Sequence, residues 1–269
     1  MNNLLLNFLF GDRILDSLDA EIYLSSINKF KSFKKLICVN NVSEANIERL
    51  KKYYDYVVRV EETLSPYNFC YLSYYNWLCE NGSEFDYVMH CDMRDVIMQK
   101  DPFVFMENHP DKELFLVSEG MKIYENSCNE MWHDWVLETV TYKKEPYKDS
   151  YILNGGTYGG RTKAFLNYCS LILIAMNRKY KYMIPDQAMM GYLCNHFEKN
   201  PNIMLTHPYK DNFCATGEAI KRENINVNFD GKQVQDLNNN SYYLFHQWDR
   251  TVFAEQLREN YKNKFTFMI

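Results

Sequence analysis

The first hundred residues of this chain predict an α/β fold with a mostly parallel central sheet, and three observations carry that prediction. Short apolar runs alternate with helical stretches in a βαβα rhythm from residue 4 onward. The stretch beginning at Ser43 pairs an N-capping residue with apolar positions Ala45, Ile47 and Leu50, the pattern of a surface helix. The run "YVMHC" at 87–91 delivers Asp92 and Asp95 to its exit, where open α/β sheets bind their ligands.

Element by element, "LLLNFLF" at 4–10 reads as the first strand and a helix follows within 13–30. "LICVNN" at 36–41 is the second strand, residues 44–53 the surface helix and "YVVRVEE" at 56–62 the third strand. "PYNFCYLSYYNWLCEN" at 66–81 is a helix closed by Asn81-Gly82, and 87–91 is the next strand. After Pro102 the rhythm loosens. "LFLVSEG" at 114–120 reads as a strand, 127–140 as a helix, 151–160 as a glycine-rich strand and turn, and 163–177 as a long apolar helix. "IPDQAMMGYLCNHF" at 184–197 looks helical, with Pro185 near its first turn and Asp186 and Gln187 at its positive end. "IMLTHPY" at 203–209, a polar loop over 221–241, "YYLFHQW" at 242–248 and a helical tail complete the chain. With no repeat and no linker-like stretch, one domain is expected, with a nucleotide half over about 1–100 and an acceptor half over about 101–269.

A net charge of -5 gives no general attraction to nucleic acid, which is not expected as a partner. The eight cysteines are far apart and form no CxxC pair, which points to reduced thiols, a cytoplasmic setting and neither a zinc site nor a disulfide framework. The longest apolar run, near 171–176, is far short of the roughly 20 residues a span needs, so any membrane contact is expected to be peripheral. Aromatic residues make up 16% of the chain, enough for some to line a sugar or base site as well as the core.

Two carboxylates at a strand exit repel one another, and a divalent cation is the economical way to keep both ionised. Oxygen donors with open positions favour Mg2+ or Mn2+, which complete their shells with water and substrate phosphate. The alternative is an N-capping aspartate paired with Arg94. Asn154, Gly155 and Gly156 read as a tight turn needing positive φ, as a surface on which a sugar rests with Asn154 bonding a hydroxyl, or as both. Glu119 is an acceptor-side carboxylate or a solvated residue in a turn. Trp132, His133 and Trp135 form either a sugar platform or part of the core. Phe10, Gly11 and Arg13 end the first strand, where Arg13 is a phosphate or base contact.

Taken in order, four segments resemble the GT-A fold glycosyltransferases. "VMHCDMRDVIMQKDPF" resembles their DxD segment with its following strand and acidic-Pro turn. "ILNGGTYGG" resembles the segment under the donor and acceptor sugars, "PDQAMMGYL" the Asp-Gln helix start of several retaining members, and "LFHQWDR" the late His that adds a metal ligand. In the common motif the carboxylates stand at i and i+2. Here Arg94 holds the i+2 place and Asp95 follows it, so a turn must bring Asp95 back.

The resemblance implies a Rossmann-like GT-A domain that transfers a sugar from a nucleoside diphosphate donor, UDP-linked by preference, to a saccharide or lipid-linked glycan hydroxyl. Retention of configuration is favoured over inversion. Asp92, Asp95 and His246 would hold Mn2+ or Mg2+. Phe10, Arg13, Arg94, Asn154, Gly155, Gly156, Gln187 and Arg250 would bind donor or acceptor, and Asp186 and Glu119 would be catalytic. Asp249 and Arg250 read alternatively as an ion pair. A sugar-1-phosphate nucleotidyltransferase is a competing reading, although "FGDRILD" is a poor match to the glycine-rich, basic loop it would carry. A non-catalytic carbohydrate-binding protein on the same fold is a third. The tail, with Phe253, Leu257, Tyr261 and Phe265 four residues apart, reads as a helix docked on the domain or as a peripheral anchor for a lipid-linked acceptor. Oligomeric state is left open.

Overall fold

The run that opens the chain forms β1 (Asn3–Phe10), with Leu4 and Leu6 packed into the core on one face and Leu5 and Leu9 into the core on the other. That alternation is the period-two geometry of a strand buried on both sides. The computed structural model describes residues 1–61, 66–140, 149–176, 186–195, 200–222 and 225–266. β2 (Lys34–Asn40), β3 (Tyr56–Arg59) and β4 (Tyr87–Cys91) extend the sheet in parallel, in the order β3-β2-β1-β4. Beyond β4 lie β7 (Tyr151–Arg161), β6 (Leu114–Lys122) and β8 (Ile203–Thr206). β7 is antiparallel to both β4 and β6, and β8 is parallel to β6, giving seven strands in one sheet. The carboxyl ends of β1, β2, β4, β6 and β8 and the start of β7 therefore share one edge.

Helices cover both faces. α1 (Leu18–Asn28) starts where Ser17 Oγ accepts the Ala20 N–H, and α2 (Glu44–Leu50) where Ser43 Oγ accepts the Asn46 N–H. These two and α4 (Pro102–Glu107), N-capped by Asp101, pack one face through Tyr23, Leu24, Ile47 and Phe103. The other face is packed by α3 (Pro66–Asn81), α5 (Ser127–Val140), α6 (Thr162–Met176) and α7 (Asp186–Asn195), through Tyr71, Tyr74, Phe165 and Met189. Gly82 follows α3 as expected but begins a 3-10 turn. A Cβ there would lie 3.1 Å from Thr162 Cγ2, so tight packing favours glycine at this position. Pro185, expected in the first turn of α7, lies outside the described residues.

A second, three-stranded sheet crosses the site. β5 (Val96–Met98) pairs antiparallel with β12 (Leu244–His246), which pairs in parallel with β9 (Cys214–Thr216). The polar stretch expected as loop holds a short hairpin, β10 (Asn228–Phe229) and β11 (Val234–Gln235), after α8 (Gly217–Lys221). The tail helix α9 (Ala254–Thr266) docks on the domain: Phe253 just before it packs against Phe229 with ring centroids 4.9 Å apart, Leu257 is buried, and Tyr261 Oη donates to Glu21 O at 2.8 Å. Those contacts hold Phe253, Leu257 and Tyr261 against the domain. The side chain of Phe265 lies outside the described residues. Among the described residues no helix is long and apolar enough to cross a membrane.

Candidate functional site

β4 carries five buried residues and then releases Asp92, whose side chain is 50% exposed. Its backbone is held by a 2.8 Å hydrogen bond from Asp92 N–H to Gly156 O. The chain bends through Met93 and Arg94 and re-enters sheet at Val96, directly opposite His246 of β12. Gln247 N–H donates to Asp95 O at 2.7 Å and locks that crossing. The bend brings Asp95 back beside Asp92, as the i, i+3 spacing requires. Asp95 Oδ1 lies 3.4 Å from His246 Nε2, Asp92 Oδ2 lies 4.0 Å from it, and donor atoms of all three residues fall within 4.8 Å of one another.

The imidazole of His246 is buried and its tautomer follows from its neighbours. Asn154 Oδ1 accepts the Gly156 N–H at 2.9 Å and the Thr157 hydroxyl at 3.1 Å, which turns its Nδ2 toward His246 Nδ1 at 2.5 Å. The ring therefore accepts at Nδ1 and carries its proton on Nε2, between two carboxylates. Burial alone would lower the His246 pKa, and the charges of Asp95, Asp92 and Glu119 raise it instead. Burial would push the Asp95 carboxyl up, but His246, with Arg94 and Arg250, holds it down at about 2. Two carboxylate oxygens and one imidazole nitrogen within reach of one another, with Asp92 half exposed, are a donor set that suits a Mn2+ or Mg2+ ion.

Two glycines of β7 make room for this arrangement. An added Cβ on Gly156 would sit 2.6 Å from both Asp92 Oδ2 and His246 Nε2, whereas one on Gly155 would meet Asp186 at an ordinary 3.7 Å. Neither glycine has positive φ. The expected tight turn is instead a continuous strand, with register shifts against β6 that interrupt strict alternation of faces. Both glycines line a cavity of about 410 Å³ along with Phe8, Phe10, Asp92, Asp186 and Arg250. Asp95, Glu119, Gln187 and His246 line it too.

Glu119 is neither solvated nor in a turn: β6 runs past it to Lys122, and it is 6% exposed. Its Oε1 accepts from Gln187 Nε2 and Gln247 Nε2, both at 3.1 Å, and burial raises its pKa against the partial relief of His246 and Gln247. Asp186 opens α7, accepting its neighbour's Gln187 N–H at 2.8 Å and the Tyr71 hydroxyl at 3.3 Å. Burial moves its pKa up to about 6, offset in part by the Gln187 N–H and reinforced by the charge of Asp92.

Three expected contacts fall elsewhere. Gly11, at φ +72, turns the chain after β1, and the following turn sends Ile14 rather than Arg13 to the cavity; Arg13 is exposed. Arg94 points away from the cavity to Asp249 at 3.6 Å, with Asp95 at 4.0 Å, so Asp249 pairs with Arg94 and not with Arg250. Asn154 is fully buried and spends its carboxamide on His246 and β7 rather than on a sugar hydroxyl. Trp132 packs against the core and His133 donates to Asn129 O at 2.7 Å within α5, so neither forms a platform here.

The sequence reading passed over two residues. His90 lies two positions before Asp92 on the same face of β4, and a carboxylate accepts only, so His90 Nε2–H donates to Asp92 Oδ1 at 3.3 Å while Nδ1 accepts from Tyr74 Oη at 3.0 Å. Within an apolar-looking run, nothing but that i−2 spacing could have singled it out. Replacing His90 with phenylalanine leaves the buried Tyr74 hydroxyl without its acceptor. Urea unfolding should show a loss of about 1–3 kcal/mol, part of which Tyr74→Phe in the same chain restores; a double variant no more stable than the single would contradict the pairing. Gln247 is the second. It is buried in the left-handed region at φ 57, an uncommon conformation for a non-glycine residue, and it links Glu119 to the end of β12. Compared with known proteins, the chain matches no family model and no curated sequence.

Proposed function

We propose that the protein is a metal-dependent glycosyltransferase of the GT-A type, taking a sugar from a nucleoside diphosphate donor, UDP-linked by preference, to a saccharide hydroxyl. One observation carries the reading. Asp92, Asp95 and His246 converge on a single point at the carboxyl edge of the sheet, facing a cavity whose described lining has four carboxylates and a single cationic side chain, Arg250. Such a cavity repels a diphosphate unless a divalent cation stands between them. When bound, the cation would neutralise the charge that develops on the departing diphosphate.

In this reading Arg250, 3.5 Å from Glu218 and at the cavity wall, turns to the diphosphate. Phe10 and Phe8 cover the apolar part of the donor. Its nucleoside runs toward a neighbouring cavity of about 600 Å³ at the ends of β2 and β3, lined by Asp12, Asn40, Ser43 and Arg59. The sugar lies against Gly155, whose missing side chain opens the approach to Asp186. There the carboxylate accepts a sugar hydroxyl or stabilises positive charge near the anomeric carbon, in keeping with retention. Glu119, held by two glutamine side chains, faces the acceptor, and if configuration is inverted it or Asp186 takes the acceptor proton.

The test is thermal unfolding with UDP-, GDP-, CMP- and dTDP-sugars, with and without Mn2+, on the wild type and on Asp92→Ala and Asp95→Ala. One donor should stabilise the protein only when Mn2+ is present, by about 2.7 kcal/mol at a hundredfold excess over Kd, and neither variant should respond. The response should weaken below neutral pH, where the proton on His246 competes with the metal. Equal stabilisation of all three proteins, or donor transfer undiminished in excess EDTA, would sink the reading. Donor binding without hydrolysis or transfer would instead favour a non-catalytic carbohydrate-binding protein.

A further inference from the structure

The loop after β8 carries an aromatic cluster that the reading above does not use. The Tyr209 hydroxyl donates to the Tyr151 hydroxyl at 2.7 Å, and His207 packs against both rings, with centroids 4.5 Å from Tyr151 and 5.1 Å from Tyr209. Tyr209 is nevertheless 41% exposed. The loop beneath it is firmly tied. His207 N–H donates to Asp211 Oδ2 at 3.0 Å, Asp211 N–H closes back on His207 O at 2.9 Å, and the buried Tyr242 hydroxyl donates to Pro208 O at 2.8 Å.

Position gives this cluster its meaning. Tyr151 begins β7 and His207 follows β8, so both stand on the edge of the sheet that carries Asp92. Pro208 packs on Gly120, where an added Cβ would be 3.0 Å from Pro208 Cγ, and Gly120 adjoins Glu119 in the cavity wall. Lys122, whose Nζ lies 5.9 Å from the Tyr151 ring centre, is three residues beyond Glu119 on β6, at most about 10 Å along a strand that bends at Gly120 (φ +77), a separation that a disaccharide can span. A tyrosine whose orientation is already fixed loses little entropy on contact, and its ring offers an apolar face with a polar rim, which suits the mixed faces of a pyranose.

The geometry points to Tyr209 and Tyr151 as an outer acceptor subsite, on which the second ring of an oligosaccharide stacks while the first presents its hydroxyl beside Glu119. The inference rests on the acceptor side of the glycosyl-transfer reading, and it specifies an acceptor of at least two sugar rings.

The test uses the full chain with 13Cε-labelled tyrosine, without donor or metal, so that it stands apart from any failure of donor binding. Tyr151 and Tyr209 resonances, assigned through Tyr151→Phe and Tyr209→Phe, are followed during millimolar titrations with cellobiose, lactose and N,N′-diacetylchitobiose, and with the methyl glycosides of their single rings. At least one disaccharide should move both resonances, more than its monosaccharide does, and should bind about tenfold more weakly to Tyr209→Ala. Unchanged far-UV dichroism of that variant confirms that it has folded. The inference is overturned if no disaccharide moves these resonances, if the monosaccharides match them, or if Tyr209→Ala binds as the wild type does.

Discussion

On the metal-dependent reading proposed above, Gly156→Ala will weaken Mn2+ binding sharply while Gly155→Ala, one residue away, will keep it. The new methyl at 156 would lie 2.6 Å from Asp92 Oδ2 and from His246 Nε2, well inside the contact distance of a methyl carbon with oxygen or nitrogen. His246 cannot yield, being 3% exposed and bonded to Asn154, so the half-exposed Asp92 must swing out and the donor set opens. Backbone retreat is opposed as well, because Gly156 O accepts the Asp92 N–H. Overpacking of this kind costs about 1–3 kcal/mol of stability, and displacement of a ligand or its support commonly weakens a metal by about 10–100-fold or more. Calorimetric titration with Mn2+ reads the affinity and urea unfolding the stability. Wild-type affinity in Gly156→Ala would mean that the cation does not sit among these three residues.

Asp186→Asn will stabilise the protein at alkaline pH and, on the glycosyl-transfer reading proposed above, lower its transfer rate. The folded carboxyl titrates at about 6 against an ordinary 3.8, chiefly because it is buried. A carboxyl raised in this way favours the folded state fully below 3.8, where both states hold the proton, and loses that contribution as pH rises toward 6. Above that range the folded protein carries the whole cost of a desolvated charge. The displacement corresponds to at most about 3 kcal/mol, and about 1–2 kcal/mol is the realistic gain once water relaxes around the charge. Asparagine keeps an oxygen for the Gln187 N–H, and its amide can donate to the Tyr71 hydroxyl. Urea unfolding of wild type and variant should diverge at about pH 8 and converge at about pH 4. A variant less stable than wild type at the higher pH would show that the carboxylate is compensated where it stands. A stabilising change that removes activity is also the signature of a residue kept for function.

Much of the sheet could be read in the sequence because its strands are buried on both faces and so stand out as apolar runs. β1, β2 and β4 announce themselves in that way, and Ser43 marks α2 because a cap is a local event. Asp92, Asp95, Gly155, Gly156, Asp186, Gln187 and His246 were legible as a set through their order along the chain, and the structure brings them to one cavity. What stayed hidden depends on partners far away. β5, β9 and β12 have three residues each, too few for any period to show. Arg94 looks like a ligand contact until Asp249 is placed beside it, and Asn154 looks like a sugar contact until its oxygen is seen bonded to Gly156 and Thr157. His90 passes for one more member of a buried strand.

The small sheet of β5, β12 and β9 has a consequence for how the site comes into being. Asp95 and His246 meet only when segments about 150 residues apart have paired, a closure whose entropy must be met before any of its contacts form. A nascent chain therefore cannot assemble the Asp92, Asp95 and His246 set until β12 has left the ribosome, although β4 and its aspartates emerge early. On the proposed metal-dependent reading, a cation held there would bridge the ends of that long loop in the finished protein, a reversible staple between its early and late segments, and unfolding should slow when metal is added.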